Sequence, residues 1–230
     1  MRVQIFVVLI LISFLGSAQN KFYKCKLFFN NGNKVEGFAK LPINISMDDK
    51  IKYKKNLSDD KVIKLDGDRL EEIIYFTNDG KAMFFKNTKF YKSRLNSKSK
   101  VETKLFRKYW MVRSLTNDKL VVYTLSEGYK INKDGSFSSY SINRLGLGDY
   151  AIVYLVKRPE EEYPSMLSFK ANGYVSNGDK FFKRTAMAYF KNDKPFYKRI
   201  KKGEYGLDTF DKLIRDYCDC NYQSNFNIHY

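Results

Sequence analysis

Apolar and polar residues alternate along most of this chain in short runs, cut at intervals by Asn, Asp and Gly. Residues 22–29 and 34–40 flank Asn30-Asn31-Gly32-Asn33. These turn residues tolerate positive φ, so the pattern predicts an antiparallel hairpin. Residues 72–77 and 81–86 flank Asn78-Asp79-Gly80, and residues 109–115 and 119–125 flank Thr116-Asn117-Asp118. A fourth turn, Lys133-Asp134-Gly135, lies between Tyr129 and Tyr140. Residues 61–65 and 150–157 add two strands, the second so continuously apolar that it should be buried on both faces. Recurring hairpins predict a mainly β fold, an antiparallel meander, barrel or sandwich. Their irregular spacing argues against a solenoid or propeller.

After Asn177-Gly178 the period lengthens. Phe181, Phe182, Thr185, Ala186, Tyr189 and Phe190 follow helical spacing, with Asp179 placed to cap them. Pro195 ends that helix or begins another. A last helix is expected over residues 209–217, with Asp208 as its cap, Asp211 in its first turn and Phe210, Leu213, Ile214 and Tyr217 as its apolar stripe. The expected organisation is a β-rich domain over residues 19–170, a cap of two or three short helices over 171–222 and a flexible tail over 223–230. Glu160-Glu161-Glu162, between Pro159 and Pro164, reads as a solvated loop and a candidate boundary.

Residues 1–18 add an address. Met1-Arg2, the apolar run 5–15 and Gly16-Ser17-Ala18 have the three parts of a secretory signal peptide, with cleavage expected between Ala18 and Gln19. The run is shorter than the ~20 residues that span a bilayer, so no transmembrane span is expected in the mature chain. The reading is therefore an exported protein, periplasmic, envelope-associated or extracellular.

Charge narrows the partners. The chain carries +17, of which the leader contributes one through Arg2, and residues 81–113 hold eleven basic residues against Glu102 alone. A smaller cluster gathers Lys191, Lys194, Lys198, Arg199, Lys201 and Lys202 around Asp193. Such fields concentrate anionic partners: anionic glycans, lipopolysaccharide or another envelope component. Lys98, Lys100, Lys104, Arg107 and Lys108 are the candidate contacts. Lysine outnumbers arginine by 32 to 10, so recognition would rest on point charges and not on bidentate forks. The same bias also follows from AAA-codon drift without any ligand.

Chemistry is sparse. His229 is the only histidine and stands next to the chain end, which argues against hydrolase triads. Asp66, Asp68, Glu71 and Glu72 are the one acidic group from which a two-carboxylate hydrolase acting on envelope polysaccharide could be built. The glycines of Arg144-Leu145-Gly146-Leu147-Gly148 precede a strand and not a helix, so they read as a loop. Trp110 is expected in the core with Tyr109 on the opposite, exposed face. Three cysteines in an exported chain suggest one disulfide, Cys25 with Cys218 or Cys220, the Cys218–Cys220 alternative closing a tight ring. No metal or cofactor motif is present, and the function expected is a non-enzymatic binding or assembly module.

The leader, the hairpin "NNGNKVEGFAK" and the stretch "AYFKNDKPFYKRIKKGEYGLDTFDKLIRDYCDC" together resemble a family of uncharacterised secreted proteins from Bacteroidetes. The resemblance spans about a third of the chain. It implies an envelope location and a β domain with terminal helices, and it brings no catalytic residues. Relatives carry a Cys just before the proline, where this chain has Lys194.

Overall fold

The computed structural model describes residues 21–44, 50–132, 134–140, 150–171, 178–221 and 226–228. The leader with its Ala18–Gln19 junction, Gly146, Gly148 and His229 lie outside the described residues. The strands are β1 (Tyr23–Phe29), β2 (Lys34–Ala39), β3 (Lys50–Lys54), β4 (Ile63–Asp66), β5 (Leu70–Phe76), β6 (Ala82–Leu95), β7 (Val101–Thr116), β8 (Val121–Leu125), β9 (Gly128–Ile131), β10 (Phe137–Tyr140), β11 (Tyr150–Lys157), β12 (Ser165–Ala171) and β13 (Phe226–Ile228). Three short helices follow β12: α1 (Gly178–Tyr189), α2 (Lys194–Lys202) and α3 (Phe210–Cys218). The chain is thus mainly β with C-terminal helices, as its periodicity predicts.

Ten strands form one sheet in the order β12-β11-β8-β7-β6-β5-β1-β2-β3-β4. Its first edge returns to its middle. Ser165 of β12 pairs in parallel with Tyr91 of β6, the Tyr91 N–H donates to the Pro164 carbonyl at 2.8 Å, and Ser93 Oγ donates to the Met166 carbonyl at 2.9 Å. Strands β6, β7, β8, β11 and β12 therefore close a five-stranded barrel, while β5-β1-β2-β3-β4 continue from β6 as an open sheet. A closed ring leaves few strand edges exposed.

The length of β6 and β7 lets both halves share them. One end of β6 pairs with β5, the other with β12. Between the pairs Thr88–Tyr109 and Phe90–Phe106, β7 places two residues against Lys89 alone on β6. That bulge at Arg107-Lys108 flips the alternation and bends the strand. It sends Phe106 and Tyr109 to the same side.

Each side of the sheet meets a different fate. One face is covered over most of its width: in the open half Tyr129, Ile131 and Phe137 of β9 and β10 pack over Cys25, Leu27, Ile73, Tyr75, Phe85, Trp110 and Val112, while Val35 of β2 and Ile63 of the edge strand β4 stay exposed, and in the barrel half the helices lie on it. There Val122, Ile152, Tyr154, Val156 and Leu167 pack against Phe182, Ala186, Phe190, Ile200, Leu213 and Ile214. The other face becomes the barrel interior, filled by Phe90, Tyr109, Met111, Tyr123, Leu125, Val153, Leu155 and Met166, with Phe181 of α1 packed into the same cluster. A barrel this narrow has no room for a ligand channel. In the open half, this second face has no covering layer among the described residues.

Several expectations need correction. Residues 87–95 and 101–108, read as a basic segment, are strand, as are β3, β12 and β13. The expected tail contributes β13, paired in parallel with β10. The acidic run is no boundary: it joins β11 to β12, whose Val156 and Ser165 pair directly. Tyr109 is as buried as Trp110, because both faces of β7 are covered there. Pro195 begins α2, capped by Asp193, whose carboxylate accepts the Phe196 N–H at 3.0 Å. Asp179 lies inside the first turn of α1 and accepts the Leu207 N–H at 2.8 Å instead of capping. Thr209, not Asp208, precedes α3.

Candidate ligand-binding surfaces

Residues 81–113 are β6, β7 and their turn, and half of their charge is neutralised locally. Lys81 pairs with Asp79 at 2.7 Å, Lys86 with Glu71 at 2.6 Å, Arg94 with Glu102 at 2.8 Å, Lys108 with Asp68 at 3.1 Å and Arg113 with Glu72 at 3.2 Å. Arg107 lies over the Tyr109 ring at 4.9 Å and donates from Nε to its hydroxyl at 3.0 Å. Lys108 and Arg107 are therefore engaged within the fold, and the five expected contacts do not form one patch.

Lys98, Lys100 and Lys104 differ from those two. They are exposed at the β6–β7 tip and have no acidic partner among the described residues. The tip is held rigidly: Asn96 Oδ1 accepts the N–H groups of Lys98 and Lys100 at 3.0 Å each, and its Nδ2 donates to Glu102 at 2.9 Å. Ser99 takes a φ of 56° to complete the turn. Lys104 stands directly opposite Lys92, whose amine sits 5.1 Å from the Phe106 ring and whose pKa burial lowers. Asn96 and Arg94 hold the Glu102 carboxyl below its ordinary value, so it stays ionised beside the tip.

The four carboxylates that a hydrolase would need are dispersed. Asp66 accepts the Asp68 N–H at 3.0 Å in the turn after β4, while Asp68, Glu71 and Glu72 each face a different base. No two are left to share a substrate as acid and base, and the acidic residues act here as cross-strand counter-ions.

All three thiols are unbonded. Cys25 is enclosed between the open sheet and β9–β10, whereas Cys218 lies under the helices on the barrel, so the bridges from Cys25 to Cys218 or Cys220 are not formed. Burial pushes the Cys25 thiol up to about 12 and the Cys218 thiol up to about 11. Cys218 and Cys220 lie within side-chain hydrogen-bond reach of each other.

A shallow depression of about 620 Å³ lies between the acidic run and the start of α2, lined by Arg158, Glu160, Asn192, Asp193, Lys194, Pro195 and Tyr217. Its Arg158 is engaged: Nη1 meets Glu161 at 3.3 Å, Nη2 donates to the Tyr189 carbonyl at 3.1 Å, and the guanidinium lies 4.3 Å from the Tyr189 ring. Charge there is mixed, with Glu160 and Asp193 beside Arg158 and Lys194.

The uncovered face of the open sheet is different in kind, and the reading above missed it. Strand alternation puts Lys24, Lys26 and Phe28 of β1 on it, with Lys34, Glu36 and Phe38 of β2, Lys50, Lys52 and Lys54 of β3, Glu72, Ile74 and Phe76 of β5, and Phe84 and Lys86 of β6. Cross-strand rows run Lys54–Phe38–Lys24 and Glu36–Lys26–Ile74–Phe84–Arg113. The apolar members are partly exposed and belong to none of the three cores. Amines lie over their rings: Lys40 and Lys54 at 5.4 and 5.2 Å from Phe22, Lys34 at 5.5 Å from Phe28, and the Arg113 guanidinium at 4.8 Å from Phe84. Partial burial, and then the neighbouring Lys52, lower the Lys40 pKa. The signal was present as a second phase of alternation, Phe and Lys at every other residue opposite the buried set.

No protein-family model matches this chain, and no curated protein or solved structure matches it.

Proposed function

We propose that this chain is an exported, non-enzymatic binding or assembly module of the cell envelope. In this reading it contacts an anionic glycan, lipopolysaccharide or another anionic envelope component through the lysines of the β6–β7 tip. Its place among secreted Bacteroidetes proteins belongs to the same proposal. The observation that carries it is the hairpin end: Lys98 and Lys100 stand on a turn pinned by Asn96, and Lys104 stands exposed on the adjoining β7, all three without acidic partners among the described residues. Four of the seven other cations on these two strands, Lys86, Arg94, Lys108 and Arg113, are offset by Glu71, Glu102, Asp68 and Glu72.

Purified lipopolysaccharide and heparin are the probes. Binding should weaken steeply between 50 and 500 mM salt, conditions in which the screening length falls from roughly 14 to 4 Å. The triple reversal Lys98→Glu, Lys100→Glu, Lys104→Glu should remove most of it while leaving the fold intact, since none of the three side chains is packed. Binding that persists at high salt, or survives the reversal, overturns the reading. Recovery of the protein in the cytoplasm with an intact leader overturns the address.

A further inference from the structure

The open sheet face is independent of the hairpin tip. Lys98 lies in the turn past Leu95, which is itself nine residues and about 30 Å of extended strand beyond Lys86 on β6. We infer that this face is a docking surface for an anionic lipid bilayer, its phenylalanine rings entering the interface and its lysines contacting lipid phosphates.

Three observations select that occupant. The first is charge: Lys24, Lys26, Lys34, Lys50, Lys52, Lys54, Lys64, Lys86 and Arg113 share the face with Glu36, Glu72 and Asp66, and Glu71 reaches Lys86 from β5, so basic residues outnumber acidic ones by nine to four. Lys24, Lys34 and Lys52 have no acidic partner among the described residues. An anionic leaflet attracts such a surface by about 1 kcal/mol per basic residue close to it.

The second is what the face lacks. Its neutral side chains on β1, β2, β3, β5 and the part of β6 paired with β5 are Phe28, Phe38, Ile74, Phe76, Ala82 and Phe84, with no Ser, Thr, Asn, Gln, Tyr or Trp among them. Reading a sugar or a base edge requires neutral donors and acceptors at fixed places. A hydrocarbon boundary requires none, and phenylalanine suits it.

The third is the arrangement of rings and amines. The faces of Phe22, Phe28 and Phe84 are occupied by cations, so a stacking base would have to displace them. At a bilayer the long lysine stems swing their amines outward to the phosphates and uncover the rings beneath. The sheet supplies the platform. Its five open strands span roughly 24 Å at ~4.8 Å per strand, and the opposite face is fixed by a core.

The test uses sedimentation with vesicles of phosphatidylcholine alone or with 30% phosphatidylglycerol, and poly-dT as a competing class of ligand. The wild type should bind the anionic vesicles and not the neutral ones. Phe38→Ser with Phe76→Ser should weaken partitioning by about tenfold or more, as should Lys24→Glu with Lys52→Glu, which touches no core residue. Phe38→Trp adds a direct readout, because its fluorescence should shift to the blue and be quenched by brominated lipid, while the buried Trp110 of the wild type should not. Absence of that quenching, with or without binding, overturns the inference. So does vesicle binding unchanged in both double variants, or Phe-dependent binding of poly-dT without vesicle binding. The tip reversal at Lys98, Lys100 and Lys104 should leave vesicle binding largely unchanged, so failure of either proposal is visible separately.

Discussion

Asp216 shows how one exposed-side carboxylate joins three elements. It accepts from Lys212 Nζ at 2.6 Å within α3, from Arg199 Nη2 of α2 at 2.6 Å and from the Tyr205 hydroxyl between them at 2.9 Å. Lys212 first, then Tyr205 and Arg199, hold its pKa down to about 2 against a smaller opposing effect of desolvation. A carboxyl whose folded pKa lies below its unfolded value stabilises the fold above the unfolded value. That contribution fades as pH falls from about 4 through the folded value. Asp216→Asn should therefore lose stability at pH 6 while showing a smaller further loss between pH 4 and pH 2 than the wild type. Urea midpoints at these pH values measure both, and equal acid sensitivity in the two proteins would count against the assignment.

At the scale of elements, the helical cap is fastened to the barrel at Arg158, just past β11. Its guanidinium bridges Glu161, the Tyr189 carbonyl and the Tyr217 hydroxyl, and stacks on the Tyr189 ring. Glu161 in turn accepts the Tyr189 hydroxyl at 2.7 Å and the Arg158 N–H at 2.9 Å. The acidic run thus contributes one structural residue, while Glu160 and Glu162 remain exposed. Arg158→Ala leaves Glu161 and the end of α1 without their shared partner, a cost of about 2–3 kcal/mol for a partly buried charged network. Hydrogen exchange should quicken in α1 and α2 before it quickens in β7 or β8. Uniform quickening across the barrel would mean that Arg158 supports the whole fold and not the docking of the cap.

For the whole molecule, the decisive feature is that one sheet face is covered over most of its width and the other is covered only where the sheet rolls up. The covering helices are not an appendage: they shield Val122, Ile152, Tyr154, Val156 and Leu167, all nearly inaccessible. Ending the chain before α1 would expose that apolar row as a contiguous patch, larger than monomers tolerate. Such a truncation should elute as aggregates in size-exclusion chromatography, whereas the full chain elutes as a discrete species. A soluble, discretely eluting truncation would instead make residues 21–171 an independent domain.

Local order was written in the chain. Alternation and turn chemistry determined the hairpins of β1–β2, β5–β6, β7–β8 and β9–β10, the doubly buried β11, and helices with Phe182, Leu213 and Ile214 turned inward. These depend on φ at a few turn residues and on a period of two or 3.6, both local quantities. Position in space was not local. Whether Tyr109 is exposed depends on what covers the far side of β7. Lys108 is a free cation in sequence and a counter-ion to Asp68 in the fold, forty residues away. Asn44, which accepts the Trp110 N–H and donates to the Trp110 and Ser126 carbonyls, is an ordinary loop asparagine until β7 and β8 meet around it. Closing the barrel through Tyr91 and Ser165 decided which phase of each strand became core and which stayed open. The phenylalanines were in the sequence all along, but only the curl of the sheet left them facing outward, because exposure belongs to pairs of surfaces and a strand carries only one of each pair.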